Sequence, residues 1–299
     1  MALTKVSNSM LVQPVNNNIL INPSFTVKQR GDVIDHNGTS YGPDRWRVRG
    51  LADVGGTMSQ STTDSTTGIN KLVVKHRNAT SYANITQYIE TLNLLGLYGK
   101  EMTFSFSYSD TGGSGIPNAQ AGTFDSSGTY KPLFNAVPKS LGNNRWSCTF
   151  TLSTDDGTFR DLNETGMQVA IYPNEKNTAP SEWFVWETKL EVGSVATPFI
   201  ARSYGEELAL CHRYYYDTND TSTAYAHPIT TNATTFRSLT IYLPQIMRVA
   251  PSLDYTVGGQ VTPAPTDIIS SIDSVYFQWN GIATGDFVGV KSLITDAEL

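Results

Sequence analysis

Glu101-Met102-Thr103-Phe104-Ser105-Phe106-Ser107-Tyr108 alternates bulky apolar with small hydroxyl side chains without a break. A strand turns successive side chains to opposite faces. Met102, Phe104, Phe106 and Tyr108 therefore share a core side, and Thr103, Ser105 and Ser107 point away from it. The same period recurs outward in both directions. Ala79 to Leu92 alternates before it, with Ile85 and Ile89 assigned to the core. Trp146, Cys148, Phe150 and Leu152 alternate after it, interleaved with Ser147, Thr149 and Thr151.

Turn residues punctuate everything between. Ala119 to Phe124 and Tyr130 to Phe134 form a hairpin through Asp125-Ser126-Ser127-Gly128, and Met167 to Tyr172 and Trp183 to Leu190 follow. About eight to ten strands with no helix among them predict an all-β fold, an antiparallel jelly-roll β-sandwich over residues 19–200. The helix comes next. Ser203-Tyr204-Gly205-Glu206 fits a capping box, Glu206 and Glu207 occupy the first turn, and His212 and Arg213 close the last. Tyr204, Leu208, Cys211 and Tyr215 form its apolar stripe. This short linking helix lies within residues 201–216. Strand patterns then resume at Phe236 to Leu243, Leu253 to Val257, Ile272 to Phe277 and Gly285 to Val290, a second smaller β domain over residues 217–299. Asp296-Ala297-Glu298-Leu299 reads as a plain acidic tail.

Residues 1–18 carry Val6, Met10, Leu11 and Val15 as scattered apolar points in a polar segment. Such a segment cannot bury them by itself, so it reads as an anchoring arm that is disordered or ordered against a partner.

Composition excludes some functions. The net charge is −6, charged residues make up 16% of the chain, and Arg45, Arg47 and Arg49 are its densest basic group. They alternate along one strand side as a solvated face, so a phosphate-tracking nucleic-acid binder is not expected. No run approaches the ~20 apolar residues of a membrane helix, and the first residues lack the apolar region of a secretion signal. A soluble protein made in the cytoplasm is expected. Cys148 and Cys211 lack His or Cys neighbours at ligand spacing and read as buried free thiols.

The motifs add a family resemblance. Leu3-Thr4-Lys5-Val6-Ser7-Asn8-Ser9-Met10-Leu11 is similar to the segment opening many tail-fibre and tailspike proteins of tailed bacteriophages. Leu190-Glu191-Val192-Gly193-Ser194-Val195-Ala196-Thr197-Pro198-Phe199, with the helix from Tyr204 to Tyr216, resembles a junction in phage tail-fibre and minor virion proteins. There a carbohydrate-binding-module-like jelly roll ends in "QLE-x-G-x-x-ATPF", and a "YGEELALCxRYY" helix and a small β domain follow. Lys189 stands where that pattern has Gln, and Met247-Arg248-Val249-Ala250-Pro251 keeps its later turn. Asn22-Pro23-Ser24-Phe25, Gln29-Arg30-Gly31 and Asp44-Arg45-Trp46 look like the opening of the same jelly roll.

What the resemblance implies is a non-enzymatic virion protein, made in the host bacterial cytoplasm. It would be a homotrimeric tail fibre or appendage, its arm docked on other virion proteins and its β modules meeting host-surface polysaccharide. The alternatives are a capsid decoration or head-fibre protein, and an isolated carbohydrate-binding subunit. No cofactor is implied. Similar jelly rolls carry a structural calcium, but Thr26 stands at the usual acidic position.

Catalysis finds no foothold in the sequence. Glycoside hydrolysis needs two carboxylates across a cleft, whereas Asp155-Asp156 are adjacent in a turn. Glu187 and Glu191 flank Lys189 on what reads as a solvated strand face. Glycan binding needs an exposed aromatic with hydrogen-bonding neighbours. Trp183, Tyr225, His227 and Trp279 are the candidates, with Trp46, Trp146 and Trp186 assigned to core packing.

Overall fold

The computed structural model describes residues 17–36, 39–50, 57–76, 83–111, 113–153, 161–174, 181–218, 225–228, 235–258, 264–282 and 287–298. Seven strands come first: β1 (Val33–His36), β2 (Thr39–Tyr41), β3 (Arg47–Gly50), β4 (Thr57–Thr63), β5 (Asn70–His76), β6 (Ala83–Glu90) and β7 (Glu101–Thr111). Six more precede the helix: β8 (Pro117–Phe124), β9 (Tyr130–Ala136), β10 (Lys139–Gly142), β11 (Arg145–Thr151), β12 (Thr165–Pro173) and β13 (Ser181–Val192). They form a seven-stranded sheet in the order β1-β4-β5-β13-β7-β11-β10 and a six-stranded sheet in the order β2-β3-β6-β12-β8-β9, with all pairs antiparallel. Successive strands β5 to β8 and β11 to β13 cross from one sheet to the other, as in a jelly-roll sandwich.

The alternation that predicted β7 is realised. Met102, Phe104, Phe106 and Tyr108 are all fully buried, and Phe104 and Met102 lie opposite Cys148 and Phe150 of β11. Ile85 and Ile89 face them from β6, and Met167, Val169 and Ile171 from β12. The β8–β9 hairpin also forms as expected. Gly122 has no alternative there, because a Cβ would lie 2.5 Å from both the Lys131 carbonyl oxygen and the Tyr130 ring.

Helix α1 (Tyr204–His212) has both arms of the expected capping box. Its buried side matches the predicted stripe only in part: Cys211 and Tyr215 are buried, but Tyr204 is 58% exposed, and Glu207 and Tyr214 are buried instead. The reason is a polar anchor. The Glu207 carboxylate accepts from the Asn22 backbone N–H and from Arg202 at 3.2 Å, which sets the helix rotation. Asn22 takes the left-handed φ of 53° that Asn tolerates, and its side-chain amide donates to the Val27 and Asp44 carbonyl oxygens.

The remaining strands are β14 (Tyr215–Asp217), β15 (Tyr225–Pro228), β16 (Thr235–Tyr242), β17 (Ser252–Gly258), β18 (Asp267–Ser270), β19 (Ser274–Ile282) and β20 (Phe287–Asp296). β20 pairs with β14 and β15 and also with β17, and β16-β19-β18 make a three-stranded sheet. Ile241, Val275, Phe277, Trp279, Val290 and Leu293 form their own core.

Arginines join this unit to the sandwich, which overturns two sequence expectations. Arg45 is not on a solvated face. It is buried, pairs with Glu298, donates to the Tyr88 carbonyl oxygen at 2.6 Å and lies 3.5 Å from the Tyr214 ring centroid. Nor is the C-terminus a plain acidic tail. Ala297 donates its N–H to the Tyr214 carbonyl oxygen, and Arg30 meets Asp44, Asp296 and Glu298 within 3.8 Å. Arg213 grips Glu90 at 2.9 Å, and Arg248 donates to the Ala297 and Glu298 carbonyl oxygens. A turn places Arg45 at φ 70°, aiming an obligate cation into a seam where it finds a carboxylate and the Tyr214 ring. Side-chain alternation cannot foresee a residue outside the strand.

Candidate functional site

Strand β13 organises the outer face of the seven-stranded sheet. Between Trp186 and Lys189 three steps on β13 match two on β7, where Trp186 pairs with Ser107 and Lys189 with Ser105. The extra residue is a bulge in which Glu187 adopts φ 52°. A one-residue insertion reverses which parity faces the core. Before the bulge Trp183 and Val185 point inward; after it Leu190 does. Glu182, Phe184 and Trp186 therefore face outward on one side of the bulge, and Lys189 and Glu191 on the other.

The two halves of this face differ. Residues 193–198 run over the half beyond the bulge. Thr103 donates to the Gly193 carbonyl oxygen at 2.6 Å, and the Lys189 ammonium reaches Thr197 Oγ1 at 2.5 Å and the Pro198 carbonyl oxygen at 3.1 Å. Glu191 accepts from Thr197 N at 2.8 Å, Thr197 Oγ1 at 2.5 Å and Asn17 Nδ2 at 3.0 Å. These bonds hold its carboxyl below the ordinary range even though burial pulls the other way. Lys189 and Glu191 are thus a buried pair, not the solvated edge expected from their spacing. Thr103 is buried beneath Gly193, and Ser105 and Ser107 are buried beside the Arg145 guanidinium.

Among the described residues, the half before the bulge is the more open one. Trp186 and Phe184 are half-buried there, two residues apart on one side of β13. The Lys71 ammonium lies 5.0 Å from the Trp186 ring centroid and 2.9 Å from the Asp64 carboxylate. Hydrogen bonds from Lys71 and from the Thr67 and Thr66 backbone hold the Asp64 carboxyl well below the usual range. Lys75 and Glu182 pair at 2.8 Å, both more than a third exposed. Ser109 lies opposite Phe184, and Arg145 pairs across from Ser107 and donates to Ser105 Oγ at 2.8 Å. An apolar ring strip with donors and acceptors on both sides can stack a pyranose face and hold its hydroxyls.

The expected site residues fall elsewhere. Trp183 is fully buried, 6.1 Å ring to ring from Tyr108, and so is no platform. Trp279 is 1% exposed in the C-terminal core. Tyr225 and His227 lie on β15 opposite Val290 and Val288, and their side chains lie outside the described residues. Val6, Met10, Leu11, Val15 and Asp155-Asp156 lie outside them altogether. Trp186 was missed because Phe184 and Trp186 are apolar on one parity of β13, and Trp183 and Val185 on the other. Only the bulge decides between them. Lys71 and Lys75, four apart around a buried run, were the available clue to the outer face.

A groove of about 840 Å³ separates α1 from residues 26–32, lined by Thr26, Gln29, Tyr204, His212 and Asp217 among others. Several of its polar groups are engaged by the protein itself. Gln29 bonds Asp44, the Tyr215 carbonyl oxygen and the Asp217 N–H, while Lys28 pairs with Asp32 at 2.6 Å. Among the described residues no group of three or more His, Cys, Asp or Glu gathers to hold a metal, and Thr26 has no acidic company of that kind.

No protein-family model matches the chain, and neither does any curated protein. Among solved structures it is similar to the enzymatically active domain of tailspike protein 4 of bacteriophage CBA120, at 11% identity and a TM-score of 0.34 over 59% of this chain and 22% of that one. It is also similar to the CBM22-1 and GH10 modules of the Clostridium thermocellum endo-1,4-β-D-xylanase 10B complexed with xylohexaose. That likeness has 13% identity and a TM-score of 0.33 over 57% of this chain and 29% of that one. A third is a CBM 22 xylan-binding domain, at 14% identity and a TM-score of 0.36 over 62% of this chain and all of that one. The matched parts take in less than a third of the first two chains.

Proposed function

We propose that this chain is a non-enzymatic glycan-binding appendage protein of a tailed bacteriophage, with the open half of the seven-stranded sheet as its sugar-binding face. The observation that carries the binding role is the Phe184–Trp186 strip, which stays partly exposed while residues 193–198 bury Lys189 and Glu191 on the same face. Lys71, Lys75, Glu182 and Ser109 supply donors and acceptors beside it. The virion setting rests on the junction motif from Leu190 to Tyr216 and the opening segment Leu3 to Leu11. In this reading the opening segment of the arm docks on other virion proteins, residues 19–200 carry the glycan face, and residues 217–299 support assembly of a homotrimer. Tyr242, Ile246, Ile269 and Ile272 are 46–78% exposed and favour a protein partner for those last strands, a second copy or the particle.

The test is a glycan array with the full chain, followed by calorimetry on any hit with wild type and Trp186→Ala. Loss of binding in the folded variant supports the proposal. Undiminished binding, or no glycan bound at all, overturns the face, and release of reducing ends from a bound polysaccharide overturns the non-enzymatic role. Immunogold labelling of intact particles tests the virion setting separately.

A further inference from the structure

A second cleft, of about 570 Å³, lies on the closed side of the sandwich between residues 194–196 and the β9–β10 connection. Its floor is Ser147, Cys148 and Thr149 of β11. Its walls carry Val137, Leu141 and Val195, which are 45%, 46% and 71% exposed. A cleft that presents three aliphatic side chains this exposed among polar ones is a surface suited to a cover.

One apolar segment of this chain starts beside it. Asn17, the first described residue, donates to Glu191 Oε2, and Thr197 donates to that same oxygen. Ala196, the neighbour of Thr197, lines the cleft. The chain immediately before Asn17 reads Met10-Leu11-Val12-Gln13-Pro14-Val15-Asn16, apolar at all but two positions. An extended chain spans about 3.5 Å per residue, so Val15 is within roughly 7 Å of Asn17 and Leu11 within roughly 21 Å. Tethering so close to the cleft gives the segment a high effective concentration there.

We propose that Met10–Val15 seats in this cleft of its own chain and covers Val137, Leu141 and Val195. Only the residues before Met10 then remain to engage a partner. The arm is thus divided into an intramolecular strap and a shorter docking end. The inference is independent of the glycan face, which lies across the bulge.

The test uses the full chain with Val15→Cys and Val195→Cys, oxidised mildly and read by intact mass and non-reducing electrophoresis. The result expected is an intrachain link, at monomer mobility, that is absent when the second cysteine replaces Ile269 instead. A link only between chains, or none, overturns the proposal. As a second measure, thermolysin should cut the Leu141→Asp/Val195→Asp variant within residues 10–15 about tenfold faster than wild type, because cleavage follows the fraction of released arm. Both substitutions are at exposed positions and leave the core untouched. Equal cleavage rates in variant and wild type overturn the proposal.

Discussion

The carboxylate of Glu298 closes on the guanidinium of Arg45, joining the residues just past β20 to the rim of the sandwich at residue 45. Side-chain exposures of 1% and 4% make this a buried pair rather than a surface contact. The Tyr214 ring stacks on the same guanidinium from the helix side. The strands beyond the helix are therefore held by charges sealed from water, and a group left alone there has no solvent to turn to.

Arg45→Met should cost about 3–5 kcal/mol because it strands the Glu298 carboxylate. The double variant Arg45→Met/Glu298→Leu should recover more than about 1 kcal/mol of that loss. Chemical denaturation of the single and double variants measures the coupling, and additive losses would show that the pair does not couple.

Asp44 makes this seam pH-sensitive. Burial raises its carboxyl from the ordinary 3.8 to about 6, against the pull of Arg30 and Gln29 and with help from Glu298. The folded state then holds the proton more tightly than the unfolded chain does. Its contribution to stability is full below pH 3.8 and is lost as pH rises through about 6. The stability of wild type minus that of Asp44→Asn should therefore fall between about pH 4 and about pH 7 in urea titrations.

The two neighbouring tryptophans of β13 should behave in opposite ways. Trp183→Ala empties a fully buried site and should cost about 3–5 kcal/mol. Trp186→Ala should cost about 1 kcal/mol or less and remove glycan binding. Thermal unfolding alongside calorimetry separates the two effects.

The helix start can be tested alone. The Ser203 hydroxyl receives the Glu206 N–H at 3.3 Å, and Ser203→Ala should lower stability by about 1 kcal/mol. Ser203→Asp should restore it, read by urea midpoint.

Neither thiol should react in the native protein. Burial pushes Cys148 up to about 12, and burial together with the nearby Asp44 carboxylate pushes Cys211 well above its usual range. Titration with dithiobis-nitrobenzoate should find both thiols silent until denaturant is added, then both reactive.

What could be read from residues alone was whatever depends on near neighbours. The alternation of Met102 to Tyr108, the β8–β9 turn and the Ser203–Glu206 cap each involve groups a few residues apart, and a local pattern determines a local geometry. Together they determined an antiparallel β-sandwich, a helix and a further set of strands. Tertiary structure decided what depends on long-range pairing. The bulge at Glu187 is a register shift within the pairing of β13 with β7, which no near-neighbour pattern announces. One inserted residue moved Trp183 inward, left Trp186 facing out, and put Lys189 and Glu191 under residues 193–198. Arg45 and Glu298 lie 253 residues apart, so no spacing rule links them. They meet because a desolvated guanidinium needs a carboxylate, and only the folded chain brings one to it.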